Sequence, residues 1–222
     1  MNKYLFLALS LSLFAFITPV KKKRVLFFGD SITEGGVKPT GYISKLDSII
    51  KQQGQGDNYE VLGSGVSGNK VYDLYLRMDS DVLARQPDIV VIYVGINDIW
   101  HKSSFGTGTD PDKYEKFYRA IIRKLQDRHI QVVVCTPSVI GERTDNSNQQ
   151  DGDLNNYSNI IRNMAKELSL PVVDLRKAFL DYLKANNPGN AERGILTNDR
   201  VHLNLAGNLF VASEMWRVIK GL

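Results

Sequence analysis

The chain has 222 residues, 43% of them apolar, and a formal charge of +4. That length fits one hydrophobic core, since single cores stop growing at roughly 250–300 residues, and the apolar share excludes wholesale disorder. The charge is too mild, and the basic residues too scattered, for a nucleic-acid partner.

The first segment differs from the rest. After Lys3, residues 4–17 are apolar except for Ser10 and Ser12. This is shorter than the about 20 residues of a membrane span and fits the apolar region of an export signal. The expectation is a leader over residues 1–20, a single domain over residues 21–222, and export to the periplasm or the cell exterior. The cationic run Lys21-Lys22-Lys23-Arg24 follows directly, with no small-x-small cleavage site before it. An uncleaved leader acting as a membrane anchor is therefore the alternative. Once the leader is removed, no membrane insertion is expected.

Apolar runs then alternate with amphipathic stretches. Residues 24–28 form a short β-rich run ended by Gly29 and Asp30, and residues 42–53 carry helical spacing through Ile43, Leu46, Ile49 and Ile50. A second strand is predicted at 59–62 and a helix at 71–84. Residues 89–94 are continuously apolar, which suits a strand buried on both faces. A helix over 114–128 follows Pro111. Strand four is predicted at 130–135, a polar loop at 141–152, a helix at 154–168, strand five at 171–175, and helices at 176–184 and 205–220. Strands alternating with helices imply a central, mostly parallel five-stranded sheet covered on both sides, an α/β/α sandwich. Ligands of such sheets bind beyond the carboxyl ends of the strands. Cys135 is the only cysteine, so no intrachain disulfide exists, and its place in an apolar strand reads as a core position.

Four polar clusters occupy informative places. Asp30-Ser31 follows strand one, where a serine would stand at the sheet edge. A hydroxyl needs a base before it can attack, and the plainer use of Ser31 is as a helix cap. The chain has three histidines. His129 precedes strand four, at the wrong end of the sheet. His101 lies several residues beyond strand three and is a candidate cleft residue. His202 ends Asp199-Arg200-Val201-His202, a spacing that lets Asp199 reach its own histidine and fix the tautomer; Asp199 could also simply cap the turn.

Gly63-Ser64-Gly65-Val66-Ser67-Gly68 follows strand two. It has the spacing of a dinucleotide fingerprint, but that pattern normally follows the first strand and wants an acidic residue after the next one, whereas Asp88 precedes its strand. The other uses are a backbone N–H aimed at an oxyanion or a plain glycine loop. Gly95-Ile96-Asn97-Asp98 follows strand three; its asparagine can donate to the same oxyanion or form a turn.

Taken in order, GDSIT, the glycine loop, GIND and the closing DRVH resemble the SGNH (GDSL-type) hydrolase family over essentially all of the chain after the leader. The resemblance implies a flavodoxin-like fold and a serine ester hydrolase. Ser31 would be the nucleophile, His202 the base and later acid, and Asp199 its partner. Ser31, Gly68 and Asn97 would form the oxyanion hole, with no metal and no cofactor. One position departs from the family: many members carry Asn where this chain has Gly63, which puts the support of that loop in question.

The stretches 66–74 and 95–101 look like the branch that includes xylan and other sugar O-acetyl esterases. The expected partner is a glycan or small-molecule ester, with Trp100 stacking on a sugar ring or packing under the loop. Asp30 and Asp98 are further candidate substrate contacts. A lysophospholipase or thioesterase is the alternative enzyme, but residues 103–110, rich in Gly, Ser and Thr, do not suggest a long acyl groove. An inactive glycan-binding module is the alternative of another class, against which every expected catalytic position is filled. Flavodoxin-like FMN binding would need more Ser and Thr after strand one than Ser31 and Thr33.

Overall fold

The computed structural model describes residues 21–222. The expected leader lies outside the described residues. Five parallel strands form one sheet in the order β2-β1-β3-β4-β5: β1 (Lys23–Gly29), β2 (Tyr59–Gly65), β3 (Ile89–Tyr93), β4 (Gln131–Cys135) and β5 (Val172–Val173). The mostly parallel sheet expected from the sequence is thus wholly parallel. Every residue of β3 is buried, because helices cover both faces.

The strand order dictates where the helices go. The chain steps from β1 to β2, then crosses back over β1 to reach β3. Right-handed crossovers then put α2 (Tyr42–Gln52) on one face, and α3 (Val71–Asp81), α5 (Pro111–Gln126) and α6 (Asp151–Leu168) on the other. Accordingly α3 packs on α5 and α5 on α6, while α8 (Leu205–Ile219) returns to pack on α2. The reversal of direction at β1 and β3 opens a crevice at their carboxyl ends, the usual binding place in this fold.

Three local differences from the predicted elements matter. The predicted helix over 71–84 stops at Asp81, and a single 3-10 turn (Leu83–Arg85) follows. Strand β2 continues through the glycines to Gly65, which pairs with Gly29 of β1. Two short helices stand where loops were expected: α1 (Ser31–Gly36) directly after β1, and α4 (Ile96–Ser104) directly after β3. Remaining between β5 and α8 is α7 (Leu175–Asn186), capped by Asp174.

Residues 194–203 form the loop that precedes α8. Thr197 and Leu203 bridge antiparallel, and Asn198 N–H donates to the His202 carbonyl at 2.8 Å. The loop is anchored from below by Glu142, which is fully buried. Its carboxylate accepts the backbone N–H groups of Ile195 (2.8 Å), Leu196 (2.7 Å) and Thr197 (2.6 Å). Glu142→Gln replaces an acceptor with an NH₂ that faces other donors. We expect it to lose about 2–4 kcal/mol of unfolding free energy, measured as a lower urea midpoint at unchanged slope.

Candidate active site

Ser31 is the first residue of α1, so the end of β1 and the start of a helix fix its backbone. The cap is Asp30, not Ser31: the Asp30 carboxylate accepts the Ile32 N–H at 3.0 Å. This leaves the Ser31 hydroxyl free to face the cleft, where its Oγ lies 3.0 Å from His202 Nε2. His202 Nδ1 lies 2.7 Å from Asp199 Oδ2. The other Asp199 oxygen accepts the backbone N–H groups of His202 (2.8 Å) and Val201 (3.1 Å). Partial burial opposes ionisation of Asp199, but the His202 ring and these two amides outweigh it and hold its carboxyl below the usual value. A hydroxyl, an imidazole and a carboxylate thus stand in hydrogen-bonded series, the arrangement that lets an imidazole take a proton from a serine. Asp199 does more than cap its turn.

The remaining predicted positions surround this line. Gly68 sits in the loop after β2 with φ +78°, a conformation L side chains rarely adopt. That loop is drawn onto α1. Glu34 accepts from both the Ser67 N–H (2.7 Å) and the Ser67 hydroxyl (2.5 Å), and these bonds hold its carboxyl below the usual value. The approach is close enough that a Cβ at Gly65 would lie 2.0 Å from the Glu34 nitrogen. Asn97 is buried in the first turn of α4 and donates one amide hydrogen to the Asn69 carbonyl at 3.1 Å. An amide has two such hydrogens, so one is left to give.

Asp30 and Asp98, the further candidate substrate contacts, are both buried, 2% and 0% exposed, with carboxylates turned onto backbone amides. Asp98 accepts the Val71 N–H at 3.2 Å, tying the start of α3 to α4. Desolvation pushes the Asp30 carboxyl up to about 7 and that of Asp98 up to about 6.

Trp100 takes the packing position expected as one of its two uses. It packs partly on the core and presents its ring edge-to-face to His202, 6.4 Å between centroids. His101 lies next to Gly68 and edge-on to the exposed Phe105, at 4.9 Å. Burial, with help from Lys70, lowers its pKa. His129 has φ +56° at the amino end of β4, away from the site. Cys135 is buried, as its strand implied. A cleft of about 430 Å³ opens at Ser31 and His202, lined also by Glu34, Lys38, Ser67 and Asn198. Sequence reasoning does not reach Glu34 or Lys38, because nothing in their own neighbourhood marks them. Among the described residues no group of three or more His, Cys, Asp or Glu is placed to hold a metal ion, and no helix is long and apolar enough to cross a membrane.

A serine-histidine-aspartate series at the carboxyl edge of a doubly wound parallel sheet defines a serine hydrolase site on this fold. Residues 27–209 match the GDSL-like Lipase/Acylhydrolase family, and the chain belongs to that family; it is a carboxylic ester hydrolase. The crystal structure of an acetyl xylan esterase, AlAXEase, superposes with a TM-score of 0.87 at 58% identity, covering 88% of this chain and 99% of that one. An acetylxylan esterase of Geobacillus stearothermophilus is 29% identical over 215 residues, 89% of this chain and 94% of its own. Solved forms of that enzyme include catalytic mutants in which a serine or an aspartate is changed to alanine. An uncharacterized lipoprotein of Bacillus subtilis is 24% identical over 204 residues, 82% of this chain and 84% of its own.

The raised Asp30 value predicts a pH signature. A carboxyl with its folded pKa near 7 and its unfolded pKa near 3.8 binds more protons folded than unfolded, so its contribution to stability falls as pH rises between these values. Asparagine caps helices as well as aspartate does. The stability difference between Asp30→Asn and wild type should therefore shift in favour of the variant from about pH 4 to about pH 7 and stay level above, as read by thermal melts across that range.

Proposed function

We propose that the protein is an exported acetylesterase that removes O-acetyl groups from a carbohydrate through an acyl-enzyme on Ser31. The observation that carries this reading is the Ser31–His202–Asp199 series, found on a chain 58% identical to an acetyl xylan esterase over nearly all of that enzyme. The ester carbonyl lies against Ser31 Oγ. As Oγ attacks the carbonyl carbon, its proton passes to His202 Nε2, and Asp199 stabilises the imidazolium. The carbonyl oxygen becomes an oxyanion held by the backbone N–H groups of Ser31 and Gly68 and by the remaining amide hydrogen of Asn97. When the intermediate collapses, the bond to the sugar oxygen breaks and His202 returns the proton to that oxygen. Water, giving a proton to His202, then attacks the acetyl-serine; the bond from the acetyl carbon to Ser31 Oγ breaks, His202 returns the proton to Oγ, and acetate leaves.

A carbohydrate alcohol fits the surroundings. Beside Ile32 and Leu203, the side chains that line the cleft carry hydroxyl, amide, imidazole and charged groups, which suit sugar hydroxyls rather than a long acyl chain. Trp100, half-exposed beside His202, offers a ring face or edge to a pyranose. The apolar stretch over residues 4–17 supports export, as does a relative named as a lipoprotein.

The test is acetate release from acetylated xylo-oligosaccharides and xylan. Wild type should release acetate and prefer p-nitrophenyl acetate to the octanoate. Ser31→Ala should fall below about 10⁻³ of wild-type turnover, with fluorophosphonate labelling abolished. Wild-type turnover in Ser31→Ala would overturn the mechanism, and inertness toward every acetylated glycan would overturn the substrate class. For Trp100→Ala, KM on acetylated oligosaccharide should rise about tenfold, the loss of roughly 1.4 kcal/mol of stacking, while kcat/KM on p-nitrophenyl acetate stays within about threefold.

A further inference from the structure

The oxyanion donors proposed above come from three different strand ends, and their mutual placement has to be held by something. Gly63 does not hold it. It has no side chain, and a Cβ at that position would lie 2.4 Å from Val37 Cγ1 and 2.9 Å from Ile43 Cδ1. The side chains of α2 and the segment before it occupy that room.

One guanidinium ties the ends of β1 and β2 to the Asn69 loop. Arg77 lies in α3, and its side chain is only 15% exposed. It stands over the Phe28 ring of β1 at 4.5 Å. Its Nη2 donates to the Gly29 carbonyl (2.7 Å), the last residue of β1, and to the Ser64 carbonyl (3.2 Å) near the end of β2. Its Nη1 donates to Ser64 Oγ (2.9 Å) and to Asp81 Oδ2 (2.7 Å). Its Nε donates to Asn69 Oδ1 (2.7 Å). Guanidinium has five N–H donors in a rigid plane, and all of them are engaged. The backbone carbonyl of the same Asn69 then receives the Asn97 amide.

We infer that Arg77 is the positioning residue of the oxyanion hole: it locks the ends of β1 and β2 to Asn69, and through Asn69 it orients the Asn97 amide. The chain of contacts runs from Arg77 Nε to the Asn69 side chain, and from the Asn69 backbone to Asn97 Nδ2. The hydrogen that Asn97 gives to Asn69 fixes the amide plane, and with it the direction of the hydrogen left for the oxyanion. Displacing such a donor by about 1 Å costs on the order of 10²-fold in rate. Lysine cannot replace arginine here, since a point charge on a flexible stem cannot span five acceptors arranged around a plane. Arg77 does not touch the substrate; it acts only through the groups it holds.

The test uses the full chain with p-nitrophenyl acetate and compares Arg77→Met, Arg77→Lys, Asn97→Ala and the double variant Arg77→Met/Asn97→Ala. Arg77→Met keeps the apolar stem on Phe28. Its kcat should fall about 30- to 100-fold with KM within about twofold, because the donor is misplaced mainly where oxyanion charge develops. Arg77→Lys should not restore it. Asn97→Ala alone should lose about 10²–10³-fold. In the double variant the two losses should fall well short of multiplying, since Arg77 works largely through Asn97. Asn69→Ala cuts the same link while leaving the Asn69 carbonyl and Arg77 in place. It should lower kcat about tenfold, and it serves should Arg77→Met fail to fold. Multiplying losses, a wild-type kcat in Asn69→Ala, or full rescue by lysine would each overturn the inference. It rests on the oxyanion role proposed for Asn97. Wild-type kcat in Asn97→Ala would bring down that role, whereas a slow Asn97→Ala beside a fast Arg77→Met would bring down this inference alone.

Discussion

A hydrogen bond of 3.0 Å joins Ser31 Oγ to His202 Nε2 across 171 positions of sequence. The bond is useful only if both partners are placed independently of each other and then brought into register. Ser31 is placed by the sheet: β1 pairs on both sides, and α1 begins at once, so the serine has no freedom left in its backbone. His202 is placed by a loop that lies outside the sheet. Loops ordinarily move more than the elements they connect. Here the Thr197–Leu203 bridge, the Asn204 cap of α8 and the three amides seated on Glu142 hold residues 194–203 as one unit. The fixed half of the site is made of strand ends, and the other half of a loop made stiff by a buried carboxylate.

The sheet topology explains why the oxyanion donors proposed for this site come from where they do. Reversal of strand order at β1 and β3 splays the following segments apart and leaves a crevice. The end of β1 contributes Ser31, the end of β2 the Gly68 loop, and the end of β3 Asn97. Adjacent strand ends lie about 4.8 Å apart, which is close enough for three separate segments to converge on one oxygen atom. It is too far for them to hold one another through backbone contacts alone. Side chains span the gaps: Glu34 reaches from α1 to Ser67, Arg77 from α3 to Gly29, Ser64 and Asn69, and Asp98 from α4 to Val71.

What could be read in the sequence follows the range over which each feature is determined. The strands were legible because β1, β3 and β4 are buried on both faces and so must be continuous apolar runs. The long helices were legible because one face of each meets the sheet. Ser31, Asn97 and the Asp199–His202 pair were legible because each sits directly at an apolar boundary, or three residues from its partner. Helices α1 and α4 were not. Each starts with a polar, turn-forming sequence, Asp30-Ser31 or Gly95-Ile96-Asn97-Asp98, and α1 ends after six residues in two glycines. Tertiary contact, not local propensity, holds them helical. Glu142 and Arg77 were invisible for a related reason. Glu142 binds amides 53 to 55 positions away, and Arg77 reaches a carbonyl 48 positions away. Nothing within a turn of either residue records those partners. Asp30 and Asp98 were legible as polar residues near the site but not as buried ones, since a carboxylate in a site motif reads the same whether it faces ligand or backbone.

The burial of those two carboxyls bears on the chemistry above them. A hole that stabilises a developing negative charge works best when no fixed negative charge lies beneath it, yet Asp30 adjoins the nucleophile and Asp98 adjoins the amide donor. Both carboxyls accept from a backbone N–H, and that bond alone would favour the ionised form. Desolvation outweighs it and raises them to about 7 and about 6, and their mutual repulsion pushes Asp30 further in the same direction. At neutral pH the pair therefore carries less negative charge than two exposed aspartates would, while each still supplies the acceptor that its helix or loop requires. The burial of the two carboxyls reduces their opposition to the proposed oxyanion. A capping group with no charge at all would avoid the opposition altogether. The His202 ring draws the Asp30 carboxyl part of the way back toward ionisation.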